Sequence, residues 1–179
     1  AERIANNTLL EVTNNVPVHK GDVFFIESGT LHAIGKGILI AEIQQNSNTT
    51  YRIYDYGRVG KDGKPRELHV EKAKEVTNLV PPKYPTTAQG APTAIEGGKE
   101  TLLRSCEYFN VNKLELDGTT KLTAGEGSFN SLLVLDGAFE IAAGSEKAAA
   151  KKGDTLFITA GTGEYTVTGK GTIILTDII

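Results

Sequence analysis

This sequence predicts a mainly β fold made of two related units, each a small barrel or sandwich, with one or two short helices. Three observations carry that expectation. Short runs rich in β-branched and aromatic residues recur between clusters of Gly, Asn, Ser and Asp. Helical periodicity is confined to residues 1–11 and 67–76. One segment also occurs twice: Lys20-Gly21-Asp22-Val23-Phe24-Phe25-Ile26-Glu27-Ser28-Gly29-Thr30 returns as Lys152-Gly153-Asp154-Thr155-Leu156-Phe157-Ile158-Thr159-Ala160-Gly161-Thr162. A Gly-Lys-Gly follows each copy, at 35–37 and 169–171, so both read as turn, buried strand, turn, strand, turn.

Residues 1–11 carry Ile4, Leu9 and Leu10 among polar neighbours and predict one short helix, ended by 12–15. Strands are expected at 23–26, 38–43 and 51–54. Val59-Gly60-Lys61-Asp62-Gly63-Lys64-Pro65 is turn chemistry, since its glycines and the Asp-Gly pair supply the backbone freedom of a tight reversal. The second helix, over 67–76, has Leu68, Ala73 and Val76 among charges and should end near Asn78. Periodicity is then lost, and Pro81, Pro82, Pro85 and Pro92 mark a connector. Strand patterns return at 108–116, 131–135, 138–142, 155–159, 165–168 and 172–176. The expected division is therefore 1–78, a connector at 79–98, and 99–179.

The chain has 179 residues, with 19 Lys+Arg against 22 Asp+Glu and a net charge of −3, which fits one or two ordinary domains. It has no Lys/Arg block and only 7% aromatic residues, so nucleic acid is not an expected partner. No apolar stretch approaches the roughly 20 residues of a membrane helix, and the polar N-terminus has no signal-peptide core. A cytoplasmic protein is expected. The single cysteine, Cys106, cannot form an internal disulfide and reads as a small buried hydrophobe. A start at Ala1 and the absence of Met predict a piece of a longer chain, or a sequence written without its methionines.

Only the first copy of the repeat has a histidine in its second turn, because His32 aligns with Glu164. Any chemistry is expected in that copy. His32 is either a zinc or iron ligand presented by a turn or a histidine bonded to a loop carbonyl. Strand alternation over 38–45 places Glu42 and Gln44 on the face of Ile38 and Ile40. An inward carboxylate needs a partner or a metal; the other reading is an edge strand with a wet face. Arg52 lies between Tyr51 and Ile53 and suits either bidentate phosphate recognition or a surface ion pair. Arg58 is a second basic candidate beside it. Asp22 and Asp154, each following Lys-Gly, are assigned to turn hydrogen bonding. His19 reads as a solvated loop residue, and His69, in the charged helix, as a surface or capping residue.

These residues carry a resemblance. The stretch from Pro17 through Gly29-Thr30-Leu31-His32-Ala33 to Gly37, continued by Ile40-Ala41-Glu42-Ile43-Gln44-Gln45-Asn46-Ser47-Asn48-Thr49-Thr50-Tyr51-Arg52-Ile53-Tyr54-Asp55-Tyr56-Gly57-Arg58, resembles the type I mannose-6-phosphate isomerases, most closely their short bacterial form. Pro65-Arg66-Glu67-Leu68-His69-Val70-Glu71-Lys72-Ala73 extends the likeness, and the rest is similar to the C-terminal β-domain of that family. The resemblance implies a cupin-type fold of two β-barrel units, the first incomplete here and metal-bearing, the second metal-free. It implies a zinc-dependent aldose–ketose isomerase, with one Zn2+ per full-length subunit, acting on a phosphorylated hexose. On it, His32 falls on a zinc ligand, Glu42 on an active-site carboxylate, Arg52 on an arginine tied to catalysis and the sugar phosphate, and Arg58 on a nearby basic position. The other zinc ligands of the family lie on two stretches N-terminal to the part seen here, so the chain is expected to lack a complete site and to pair with that missing segment. The alternative is a non-catalytic cupin module for sugar binding or dimerisation.

Overall fold

A computed structural model describes residues 1–178. The chain divides into two compact units, one formed by Ala1–Ile40 and Gln44–Pro85, the other by Ala41–Ile43 and Thr86–Ile179.

The first unit is largely irregular. It holds helix α1 (Glu2–Ala5), a 3-10 turn (Leu9–Val12) and helix α2 (Val70–Val76). Its core is small: Leu9, Ile53 and Ala73 are buried, with Ile4 and Tyr54 packed against them. Ala73 sits on the inner face of α2, whose exposed side carries the Glu71–Lys74 pair. The strands expected at 23–26, 38–43 and 51–54 do not form. A strand exists only against a neighbour that accepts its N–H groups; among the described residues the one bridge in this unit joins Val59 to Pro65. The inward and outward alternation nevertheless persists over 52–55, where Ile53 and Asp55 are buried and Arg52 and Tyr54 are half-buried. The reversal expected at 59–65 is present, closed by Gly60 N–H to the Lys64 carbonyl at 2.7 Å and by Lys64 N–H to Asp62 Oδ1 at 3.1 Å.

The second unit is an antiparallel sheet of β1 (Thr93–Ile95), β2 (Gly98–Ser105), β3 (Asn110–Ala124), β4 (Asn130–Ala143), β5 (Glu146–Lys151), β6 (Thr155–Ile158) and β7 (Gly163–Asp177). The strand order is β1-β2-β3-β7-β4-β5. β6 pairs the first half of β4 and β5 its second half. Along β3, Leu114, Leu116, Thr120 and Ala124 are buried at a period of two. Leu114, Leu116 and Ala124 meet Leu132, Val134, Phe139, Ile141, Tyr165, Val167 and Ile173 in one core. The one phenol there, Tyr165, accepts a 2.8 Å hydrogen bond from Asn130 Nδ2, and burial pushes its pKa up to about 12.

The two expected strands at 131–135 and 138–142 are one strand, as are those at 165–168 and 172–176. Gly137 pairs with Gly171, and Gly118 with Gly169, so the glycines that punctuate the sequence lie inside ladders. At Gly137, φ is +83° and a Cβ would overlap the Lys170 carbonyl oxygen. The neighbouring backbone passes where a side chain would stand, and only glycine permits it.

Candidate active-site residues

Both copies of the repeat build the same turns. Asp22 Oδ2 accepts from His19 N–H at 2.8 Å, and Asp154 Oδ2 accepts from Lys151 N–H at 2.9 Å. Thr30 N–H bonds the Glu27 carbonyl as Thr162 N–H bonds that of Thr159. The carboxylates therefore do turn work, as their Lys-Gly-Asp setting predicts. In the second copy the run after the turn is β6, paired to β4; in the first, Gly29 instead accepts from Asn78 N–H at 2.8 Å, and Glu27 pairs with Lys83.

His32 lies just beyond that first turn and is exposed. Its Nδ1 is 2.8 Å from the Thr30 carbonyl oxygen. A carbonyl only accepts, so Nδ1 carries the proton and, in the neutral ring, Nε2 presents its lone pair outward. This is the loop-carbonyl reading of the sequence; a metal-binding imidazole is ordinarily oriented by the same kind of bond from its other nitrogen. Among the described residues no three His, Cys, Asp or Glu side chains gather as a metal site would require. Glu42 is exposed, on the segment that belongs to the second unit, and its carboxylate makes no hydrogen bond or ion pair among the described residues.

Arg52 and Arg58 are brought together, and the residue that does so is Asp55. Two positions after Ile53, its carboxylate is carried inward by the same alternation and is only 8% exposed. A buried carboxylate requires partners, and three arginines supply them. Arg66 grips it with both arms of its fork, Nε to Oδ2 at 2.6 Å and Nη2 to Oδ1. Arg58 Nη2 is 3.2 Å from Oδ1, and Arg52 Nε is 3.9 Å away. The hydrogen bonds of Arg66 and the charges of all three arginines hold the Asp55 carboxyl below its ordinary value of 3.8, against the opposing effect of burial. Arg66 reaches this point because the 59–65 reversal returns the chain onto 55.

His69 fixes Arg52 from the other side. Its Nδ1 accepts the Arg52 N–H at 3.2 Å, and its own N–H donates to the Arg52 carbonyl at 2.6 Å. Arg52 Nη1 also donates to the Glu67 carbonyl at 3.3 Å. His69 is therefore a half-buried clamp that also stands at the N-cap of α2, the capping place that was one of its two sequence readings, and not on the open surface. Asp55 and Arg66 escaped the sequence reading. The alternation in Arg52-Ile53-Tyr54-Asp55 was the available signal, because it sets a carboxylate on the apolar face.

Residues 98–178 match the family described as "Mannose-6-phosphate isomerase, cupin domain". Over 168 residues, 94% of its length, the chain is 39% identical to the mannose-6-phosphate isomerase ManA of Bacillus subtilis. The chain is similar to the mannose-6-phosphate isomerases over about half of their length. A mannose-6-phosphate isomerase of Streptococcus mutans is 39% identical over 143 residues, 80% of this chain. The crystal structure of a Bacillus subtilis mannose 6-phosphate isomerase superposes with a TM-score of 0.65 at 30% identity, covering 74% of this chain and 41% of that one. The mainly β, cupin-type class expected from the sequence is the one found. The chain spans about half the length of the curated isomerases it matches, 52% of the Bacillus subtilis protein and 44% of the Streptococcus mutans one.

Proposed function

We propose that this chain contributes part of the active site of a zinc-dependent isomerase that interconverts mannose 6-phosphate and fructose 6-phosphate, in the cytoplasm. The observation that carries the reading is the arginine cluster: three guanidinium groups against one carboxylate leave a charge of +2, and Arg58 and Arg66 face solvent. A phosphate monoester carries about −1.5 to −2 at pH 7 and accepts forked guanidinium donors. Arg52 and Arg58 are assigned to the sugar phosphate. Phosphate binding far from the reacting carbons holds the open-chain sugar in register and so lowers the barrier through orientation.

Aldose–ketose isomerisation moves a proton between adjacent carbons through an enediol. Glu42, whose carboxylate has no hydrogen-bond or ion-pair partner among the described residues, is assigned to the active site as a carboxylate able to carry that proton, a role typically worth ~10²–10⁴ in rate. His32 fits a single zinc ligand, with Nδ1 held by Thr30 and Nε2 open. Bound zinc would supply Lewis-acid stabilisation of charge on the two neighbouring oxygens. A catalytic zinc site takes three protein ligands and a water, so the remaining ligands are assigned to the N-terminal part of a full-length isomerase. Exposed Leu31, Ile34, Ile38, Leu39 and Ile40 in this chain support a covering segment there.

The test is kinetic. The 179-residue chain is fused behind the N-terminal part of the Bacillus subtilis relative, loaded with zinc and assayed on mannose 6-phosphate. Arg52→Ala should weaken the phosphorylated substrate by roughly tenfold to a hundredfold, the loss of a charge-assisted contact worth about 1.5–3 kcal/mol. Unchanged turnover and KM would sink the assignment.

A further inference from the structure

We propose that Asp55 is a positioning residue that gathers Arg52, Arg58 and Arg66 into one binding point for a dianionic phosphate monoester. This rests on the assignment of Arg52 and Arg58 to the substrate phosphate, and it adds Arg66 as a third phosphate-facing group. Arg58 and Arg66 are long, exposed side chains on opposite sides of a reversal, with 63% and 44% of their side-chain surface open. Left alone, each would sample many rotamers, and ordering them on a ligand would cost entropy at the moment of binding. Asp55 removes that cost beforehand. Its Oδ1 is approached by all three guanidinium groups, and its Oδ2 takes the Nε–H of Arg66. The carboxylate sits at a buried backbone position set by Ile53, while the outer guanidinium donors remain open to solvent. The cluster is left with a charge that matches a phosphate dianion.

The sign of one substitution separates this role from simple charge opposition. If Asp55 merely offsets positive charge, Asp55→Asn raises the local charge by one and tightens anion binding. If it positions the arginines, the same change weakens binding. The arginine Nε–H resonances of the 179-residue chain are followed by NMR during titration with mannose 6-phosphate and, separately, with mannose. In the wild type, all three should respond to mannose 6-phosphate and none to mannose. Asp55→Asn, with the amide signals of α2 in place, should bind mannose 6-phosphate about tenfold more weakly, and the Arg66 Nε–H should lose its protection from exchange. Equal or tighter binding overturns the positioning role while leaving the phosphate assignment standing. No arginine response in the wild type overturns both. Should Asp55→Asn fail to fold, Arg66→Lys keeps the charge and removes the fork; it should weaken binding several-fold, and unchanged affinity overturns the proposal.

Discussion

At the inward position after Ile53, a carboxylate can be held charged only within an ion cluster, and the acid behaviour of the first unit follows from that. Arg66, Arg58 and Arg52 keep the Asp55 carboxyl below its ordinary value of 3.8. A group whose folded value is lowered contributes stability that is complete above its ordinary value and is lost as the pH falls through it toward the folded one. The first unit should therefore loosen as the pH drops below about 4, read from the α2 amide signals. Asp55→Asn should be weaker at neutral pH but show a flatter acid profile; identical profiles would contradict the cluster. Arg52 and Arg58 were legible in the sequence because arginines among apolar residues stand out. Arg66 was not, since only the folded 59–65 reversal brings it to Asp55; the capping place of His69 was legible, but its clamp on Arg52 was not, because those bonds span 17 positions.

Elements were legible where local chemistry decides them and illegible where a partner does. The turns of both repeat copies, the 59–65 reversal and α2 depend on residues within a few positions of one another, and they stand as the sequence predicts. The runs at 23–26, 38–43 and 51–54 have strand composition, yet they find no ladder among the described residues. Conversely, Gly137 and Gly169 read as turns but lie inside β4 and β7, because their glycine partners allow the neighbouring backbones to pass closely. That distinction is testable. Gly137→Ala sets a Cβ on the Lys170 carbonyl at φ +83° and should destabilise the second unit by more than about 2 kcal/mol in urea unfolding. Gly153→Ala, at φ +91° with nothing within 4 Å, should cost only the strain of its dihedral, about 1 kcal/mol. Equal costs would contradict the close approach.

On the scale of the molecule, one sequence repeat appears twice in different company. The second copy is paired and packed over a buried core, whereas the first keeps its turns, shows apolar residues to solvent, carries His32 and shares its unit with the arginine cluster. On the proposed assignment of Arg52 and Arg58 to the phosphate and of His32 to zinc, a chain spanning about half of its relatives should contribute to isomerisation without performing it alone. The deciding measurement compares zinc-supplemented isomerisation of mannose 6-phosphate by the 179-residue chain and by the same chain fused behind the N-terminal part of the Bacillus subtilis relative. Turnover should appear only in the fusion and should be lost again on His32→Ala. Robust turnover by the chain alone, or a fusion indifferent to His32→Ala, would contradict the account.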